Sequence, residues 1–240
     1  MKRVQLEPGH LLSVRAYRET SALLEVFTPV HGRLGLVARG ARGPRSKLRG
    51  LLQPFQPLLV SWVEGGELGT LTGAESAGPP AGLGGEAVFS GWYLNELVLR
   101  LLQRRDPHPA LYDGYVEALA ALASPAPARA LRVFELHLLA ELGYAVHVPE
   151  DLAPERWYGY DPEAGLRVAE PGPGAYRGAS LLALADETLA TEESLRDARH
   201  LLRAALRPHL GDRALRTPEL LRALRQGVRG WGLGIRGKQE

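Results

Sequence analysis

Six cationic side chains lie close together in a part of the chain that has no carboxylate. No Asp or Glu occurs between Glu25 and Glu64. The cations of that interval are Arg33, Arg39, Arg42, Arg45, Lys47 and Arg49. Glycine and proline punctuate the same stretch, which therefore predicts a loop between two apolar strands. Because fixed cations on a loop can meet successive phosphate groups, the pattern indicates binding to a polyanion such as a nucleic-acid backbone.

The same region carries no pattern typical of nucleotide hydrolysis. A phosphate-binding P-loop needs a Gly-Lys pair followed by Ser or Thr. Here Ser46 precedes Lys47, and no GxxxxG frame comes before them. The two side chains also diverge on an extended chain, so they form a poor nucleophile–base pair. We therefore predict that the chain is not an enzyme and binds no small-molecule substrate.

Metal and thiol chemistry also lack support in the sequence. The chain has seven histidines, none of them in an HExxH pattern, and no cysteine. The absence of cysteine excludes disulfides and thiolate metal sites, and we predict neither a metal nor a cofactor. The first residues contain no apolar leader, and no run approaches the ~18 apolar residues of a membrane span. We expect a cytoplasmic chain that does not enter a membrane.

Charge is segregated along the chain, although the net charge is only +2. The balance of basic over acidic residues is +7 in residues 1–50, −12 in 51–195 and +7 in 196–240. The last segment predicts a second basic group, made of Arg199, Arg203, Arg207, Arg213 and Arg216. Its first three members are four residues apart and share one helix face, and Arg15 and Arg18 would extend the first group. The alternative is an arginine-rich composition that decorates any solvated surface.

Five short strands are predicted within residues 1–76. Apolar runs lie at 11–17, 22–27, 35–38, 57–63 and 68–72, with Gly, Pro and Thr between them. Five strands in roughly 70 residues are typical of a small closed barrel. The aromatic residues of this part are Tyr17, Phe27, Phe55 and Trp62. Each could stack on a nucleic-acid base, and packing in the barrel core is the alternative for each.

A helical region is predicted for residues 86–240, after a Gly/Pro-rich linker at 77–85. Helical spacing or capping signals indicate helices near 89–102, 110–122, 128–142, from 180, 191–209 and 217–227. Gly143 stands where a C-cap is needed, and Thr191 where an N-cap is needed. Residues 144–179 contain five prolines. They predict an irregular insertion with at most a short hairpin.

Four stretches of this sequence, in this order, resemble the bacterial recombination mediator family RecO. The first joins Gly-Ala-Arg at 40–42 to Arg-Ser-Lys-Leu-Arg-Gly-Leu-Leu-Gln-Pro-Phe at 45–55. The others are Tyr-Leu-Asn-Glu-Leu at 93–97, Leu-Arg-Val-Phe-Glu-Leu-His-Leu-Leu-Ala-Glu-Leu-Gly-Tyr at 131–144, and His-Leu-Gly-Asp-Arg-Ala-Leu-Arg-Thr at 209–217. The resemblance covers essentially the whole chain.

The resemblance implies an α+β multidomain protein. Its parts would be an N-terminal five-stranded OB-fold barrel and a C-terminal all-helical domain with an irregular inserted loop region. It also implies a DNA repair mediator that binds single- and double-stranded DNA and anneals complementary strands. With RecR, such a protein helps to load the recombinase onto DNA coated by single-strand-binding protein. Its site of action would be the bacterial nucleoid.

Two details of the resemblance lead to separate expectations. Many family members have four cysteines after the Gly-Tyr pair, whereas residues 145–180 contain none. No thiolate zinc site can form there, and a substitute built from His147, Glu150 and Asp151 is the remaining metal hypothesis. The resemblance also implies that Arg132 receives the acidic tail of single-strand-binding protein. The alternative for Arg132 is a helix interior from which this one arginine extends outward to solvent. For the whole chain, the alternative is a protein-interaction adaptor whose basic loops bind an acidic partner.

Overall fold

The computed structural model describes residues 2–124, 127–211 and 215–221. The first five strands close into a barrel in the order β1-β2-β3-β5-β4. They are β1 Arg3–Tyr17, β2 Ser21–Thr28, β3 Gly32–Ala38, β4 Pro57–Val63 and β5 Gly69–Ser76. Neighbouring strands are antiparallel except for a short parallel pairing between β3 and β5. The five strands predicted from the apolar runs are confirmed.

Alternation of buried and partly exposed residues fills the barrel. Along β4 every second side chain is buried, namely Leu58, Val60 and Trp62. This is the two-residue period of a strand with one face toward a core. Leu24 and Leu36 enter the same cluster from β2 and β3. The barrel therefore has its own apolar interior, which holds the strand ends and the loop between β3 and β4 in place.

Helices make up most of the second half of the chain. They are α1 Glu86–Leu101, α2 Pro109–Leu122, α3 Pro127–Glu141, α4 Gly178–Ala185 and α5 Glu192–Leu210. The predicted caps are confirmed: Gly143 follows α3 with φ 82°, and Thr191 forms a capping box with Ser194 at the start of α5. Residues 216–221 are helical, and the predicted end of that helix near 227 lies outside the described residues.

Residues 157–177 form a three-stranded antiparallel sheet, so the prediction of an irregular insertion in an all-helical domain was wrong. The strands are β6 Trp157–Asp161, β7 Gly165–Ala169 and β8 Ala175–Arg177, in the order β7-β6-β8. The prolines at 162, 171 and 173 lie between strands, where they do not interrupt pairing. The Asp161 carboxylate accepts hydrogen bonds from the N–H groups of Glu163 and Ala164, which closes the turn. Tyr158 and Tyr176 pair across the sheet and are buried in the helical core.

The barrel and the helices share one buried cluster. Leu12, Phe27 and Phe55 of the barrel part belong to the same apolar core as the helices. Residues 77–85 have no regular structure, as predicted for a linker, but Ala81 and Leu83 pack against that core. The connection is therefore fixed by packing. The division into a domain at 1–76 and another at 86–240 stays a prediction.

A buried polar network joins the two parts. The side-chain amide of Asn95 donates to the Leu12 carbonyl at 2.9 Å, and the Tyr115 hydroxyl donates to the Asn95 side-chain carbonyl at 2.7 Å. His10 Nδ1 and the Tyr112 hydroxyl are hydrogen-bonded at 3.0 Å. Burial lowers the pKa of His10 to about 4. His10 is therefore neutral at pH 7 and remains so well below its ordinary pKa.

The free energy of unfolding is expected to fall as the pH is lowered from 7 to 4. Unfolded His10 binds a proton near its ordinary pKa of 6.5, whereas the folded state binds it only near 4. This contribution is complete above pH 6.5 and is lost between the two values, by at most about 3 kcal/mol. His10→Asn keeps a polar group toward Tyr112 but cannot titrate. Urea unfolding at pH 7 and pH 5 should show a smaller loss in the variant, and equal losses would contradict this assignment.

Among the residues that the structure describes, no helix is both long enough and apolar enough to cross a membrane.

Candidate nucleic-acid interface

The loop between β3 and β4 consists of consecutive turns. We call residues 39–56 the basic loop. Backbone N–H groups of Gly43, Ser46 and Arg49 donate to carbonyls three residues earlier, at 3.0, 3.1 and 3.3 Å. Gly40 enters the loop with φ 68°, in the left-handed region that glycine adopts without strain. These local bonds give the loop a defined path.

Apolar side chains anchor the basic loop to the molecule. Ala41 and Leu52 are buried in the barrel core, and Leu48 and Leu51 pack against it. Phe55 is buried at the end of the loop, where its ring lies against Gly91 of α1; a Cβ at Gly91 would approach that ring within 2.8 Å. The loop therefore alternates inward apolar residues with outward cations. Its charges are held on an ordered surface.

The outward cations of the basic loop are exposed: Arg39, Arg42, Arg45, Lys47 and Arg49. Within the described part of the chain, none of these five forms an ion pair. Arg42 differs from the others because its guanidinium donates to the carbonyls of Arg18 and Glu19 at 3.3 and 3.5 Å. Its own N–H donates to the Thr20 carbonyl at 2.8 Å. Arg42 thus fastens the basic loop to the turn between β1 and β2.

Arg33, the sixth cation of the carboxylate-free interval, lies away from the basic loop. It is on β3, and its guanidinium donates to the Leu99 carbonyl of α1 at 2.6 Å. Glu25 lies 3.9 Å away and is also paired with Arg104. Burial lowers the pKa of Arg33, and the charge of Glu25 partly offsets this effect. The side chain joins the barrel to the helices, and we do not place it on the proposed surface.

Arg15 and Arg18, the two cations predicted to extend the first basic group, lie near the β1–β2 turn. Arg15 is exposed on β1. Arg18 is exposed in the turn, and its guanidinium lies 5.1 Å from the ring centre of Tyr17. Of the four aromatic residues left open by the sequence, Phe27, Phe55 and Trp62 are buried. Only Tyr17 among these four is partly exposed, so it alone retains the accessibility that base stacking requires.

The second basic group lies on and after α5. Arg199, Arg203 and Arg207 are exposed on this helix at four-residue spacing. Partial burial of the Arg199 guanidinium, then the charges of Arg132 and Arg203, lower the pKa of Arg199. The Arg216 N–H donates to the Glu96 carboxylate at 2.8 Å, which holds this segment against α1. Arg213 lies outside the described residues.

Arg132 is buried within the helices. It is 7 % exposed, and it donates to the fully buried Glu135 carboxylate at 2.7 Å. The Tyr93 hydroxyl donates to the same oxygen at 2.6 Å. Burial raises the pKa of Glu135, whereas Arg132 and the hydrogen bond from Tyr93 lower it. Arg132 is thus held inside the helical region and does not reach outward, and its binding of the acidic tail stays a prediction.

No group of three or more His, Cys, Asp or Glu residues suited to a metal ion occurs in residues 2–124, 127–211 and 215–221. The hypothetical site of His147, Glu150 and Asp151 is therefore not assembled.

Arg104 and Arg105 join the end of α1 to the barrel, and no pattern in the sequence pointed to them. Arg104 pairs with Glu25 of β2, and the Arg105 guanidinium donates to the Gly65 carbonyl at 3.0 Å in the β4–β5 turn. The Arg105 N–H also donates to the Arg33 carbonyl at 2.9 Å. Both arginines follow α1 in a short connection. Their partners are distant in sequence, so no local pattern could have found these contacts.

This geometry defines a class of protein. A small closed barrel is packed on a helical region, and it presents an anchored loop whose cations form no ion pair among the described residues. Comparisons with known proteins narrow the class. The family model for the recombination protein O N terminal matches residues 1–80, and that for the recombination protein O C terminal matches residues 84–219. The chain belongs to the recombination protein O (RecO) family.

Relatives named DNA repair protein RecO match along nearly their whole length. The Nitrosococcus oceani protein is 47 % identical over 234 residues, which cover 93 % of this chain and 95 % of the relative. The Methylococcus capsulatus protein is 44 % identical over 228 residues, covering 92 % and 94 %. A Coxiella burnetii protein is 41 % identical over 228 residues, covering 92 % and 99 %. The family resemblance seen in the four sequence stretches is confirmed.

Proposed function

We propose that this chain is a DNA repair recombination mediator that binds DNA through the basic loop and catalyses no covalent chemistry. The observation that carries the proposal is the ordered loop itself. Apolar residues anchor it, and Arg39, Arg45, Lys47 and Arg49 are exposed without an ion pair in the described structure. Unpaired cations can neutralise phosphates with no internal contact to break. The family relationship gives the polyanion its identity, DNA.

The barrel supports the finer assignment to the OB-fold. Its strand order β1-β2-β3-β5-β4, with β1 also paired to β4, makes a small Greek-key-like barrel. OB-folds bind single strands by combining a cationic groove with exposed aromatic rings. The start of the basic loop, at Arg39 and Gly40, lies beside Tyr17, and together they supply both features. We therefore infer that the barrel binds single strands and that its cations also bind duplex phosphates.

Annealing and partner binding are proposed on the basis of the family. Two basic groups, one on the barrel and one on α5, would hold separate strands during annealing. We propose RecR and single-strand-binding protein as partners during loading of the recombinase in the cytoplasm, at the nucleoid. The acidic tail of single-strand-binding protein would bind at Arg132, as the family resemblance implies. Arg132 is 7 % exposed, and its charge, with those of Arg199 and Arg203, acts on the buried Glu135 carboxylate.

The salt dependence of single-strand binding tests the proposal quantitatively. Each neutralised phosphate contributes about −0.7 to the slope of log affinity against log salt concentration. Four unpaired loop cations predict a slope of about −3, whereas all six cations of the interval would give about −4. The slope is measured by fluorescence anisotropy with a labelled oligonucleotide over a range of salt concentrations. An affinity that does not change with salt would contradict binding through the basic loop.

Strand annealing separates this function from the protein-adaptor alternative. A DNA mediator should accelerate pairing of complementary oligonucleotides, including strands coated with single-strand-binding protein. An adaptor that recognises an acidic protein surface should leave the annealing rate unchanged. The measurement is the loss of donor fluorescence when two labelled strands pair.

A further inference from the structure

An open pocket lies beside the basic loop, at the end of the barrel where β1, β2 and β3 meet. Its volume is about 390 Å³. Its lining includes Tyr17, Arg18, Thr20, Val37, Arg39 and Thr70. This volume falls within the ~300–1,000 Å³ of sites that hold small organic groups. The pocket is therefore large enough for one nucleotide.

One wall of the pocket combines an aromatic ring with a guanidinium plane. The Arg18 guanidinium lies 5.1 Å from the centre of the Tyr17 ring, within the range of a cation–π contact. Arg18 adopts φ 54°, a left-handed conformation that costs energy for a residue other than glycine. Aromatic rings and guanidinium planes are the surfaces on which unpaired bases stack. The wall thus has the shape and chemistry that recognise a flat, π-bonded group.

The rest of the lining suits the other parts of a nucleotide. Val37 adds an apolar contact, and the hydroxyls of Thr20, Ser21 and Thr70 can each donate or accept a hydrogen bond. Such hydroxyls fit the edges of any base and impose no sequence preference. Arg39 places a second cation at the pocket, beside the path of the basic loop. The lining therefore has separate places for a base and for a phosphate.

Arg42 fixes the position of this pocket relative to the basic loop. Its bonds to the carbonyls of Arg18, Glu19 and Thr20 hold the loop against the turn that carries the aromatic wall. A strand whose phosphates lie along Arg45 and Lys47 would thus pass a preformed site for one of its bases. This continuity connects the pocket to the proposed DNA surface.

We propose that this pocket takes one unpaired nucleotide of single-stranded DNA, with the base stacked on the Arg18 guanidinium that the Tyr17 ring supports and a phosphate beside Arg39. The proposal rests on the proposed function and names the ligand of the same surface. A duplex cannot fill the pocket without flipping a base out of its stack, which costs a few kcal/mol. The pocket therefore favours single strands over duplexes, whereas the loop cations bind both.

The test compares two ligands with the same phosphates, one of which has no bases. The full chain is titrated with a thymidine oligonucleotide of about ten residues and with an abasic oligomer of the same length. The quantity measured is the ratio of the two affinities. Tyr17→Ala should lower thymidine binding about fivefold or more and leave abasic binding nearly unchanged, so the ratio falls. Tyr17→Phe retains the ring and should keep the wild-type ratio.

Trp92→Ala is the matched control. Trp92 is 50 % exposed on α1 and does not line the pocket, so its removal should not alter the ratio. An unchanged ratio in Tyr17→Ala, or equal losses for both ligands, would overturn the pocket while leaving the proposed function in place. A wild-type chain that binds neither oligomer would overturn both. A ratio that falls in Tyr17→Ala and persists in Tyr17→Phe and Trp92→Ala supports the pocket.

Discussion

Replacing Arg45 and Lys47 with glutamate is expected to weaken binding of single-stranded DNA about a hundredfold at low salt. Each charge-assisted contact to a phosphate contributes about 1.5 kcal/mol or more, and two such contacts are lost. The new carboxylates also repel the phosphates. The slope of log affinity against log salt should become shallower by about 1.4, because two fewer phosphates are neutralised. Anisotropy titrations at several salt concentrations measure both quantities.

The structure offers a control with the same change in net charge. Arg156 and Arg167 are exposed in and near the three-stranded sheet and do not belong to the basic loop. Arg156→Glu with Arg167→Glu changes the net charge by the same amount as the loop variant. If attraction to DNA depended only on overall charge, both variants would lose equal affinity. Equal losses would refute the loop as the binding surface, whereas a loss confined to Arg45→Glu with Lys47→Glu supports it.

The loop variant should remain folded, which makes its loss of binding interpretable. Both side chains are exposed and lack an ion pair in the described structure, so replacing them removes no internal contact. Exposed substitutions of this kind usually change stability by less than about 0.5 kcal/mol. Arg42 was left out of the variant because its guanidinium bonds the β1–β2 turn. Its substitution would combine a loss of charge with a shift of the loop.

Arg132→Ala is expected to lower the free energy of unfolding by about 3–5 kcal/mol, because it leaves the buried Glu135 carboxylate without its cation. Glu135 is 0 % exposed and would keep only the hydrogen bond from Tyr93 and the more distant charges of Arg199 and Arg203. Chemical denaturation measures the loss. A stable variant that fails only in binding single-strand-binding protein would instead show that Arg132 acts at a partner surface.

The loss of unfolding free energy in Arg132→Ala should depend on pH, in a direction set by Glu135. Burial raises the pKa of Glu135 above its ordinary value, and removal of Arg132 raises it further. The folded state then binds a proton more readily than the unfolded state, so its stability is retained below the ordinary carboxyl pKa and falls as the pH rises. Arg132→Ala should therefore be more destabilised at pH 8 than at pH 5.

A double substitution distinguishes the effect of the unpaired buried charge on stability from the effect of the lost side-chain contacts. Replacing both members, Arg132→Met with Glu135→Leu, removes the unpaired carboxylate and retains apolar volume, although the Tyr93 hydroxyl loses its acceptor. Exchange of a buried ion pair for apolar residues is often close to neutral. The double variant should be more stable than Arg132→Ala alone. If it is no more stable, the stranded carboxylate is not the cause of the loss.

Local patterns in the sequence predicted much of the fold. The period of two in Leu58, Val60 and Trp62 predicted a strand, and Thr191 and Gly143 marked helix ends that the structure confirms. Strand periodicity and caps depend on residues within a few positions of each other, so they can be read without tertiary contacts. The three-stranded sheet was missed because prolines between strands resemble prolines in an irregular loop. Pairing of Tyr158 with Tyr176 is a contact that proline spacing does not encode.

The sequence by itself determined the basic loop and, through four ordered motifs, the RecO family. Only the tertiary structure decided which side chains face solvent. In the folded chain Arg33 bonds the Leu99 carbonyl of α1, 66 residues away, and Arg132 is buried beside Glu135. Arg42 bonds the β1–β2 turn, and Tyr17 remains partly exposed at a pocket. The physical reason is that the local sequence around a charged or aromatic residue is the same whether its side chain pairs internally or faces solvent. Long-range packing alone selects between these two states.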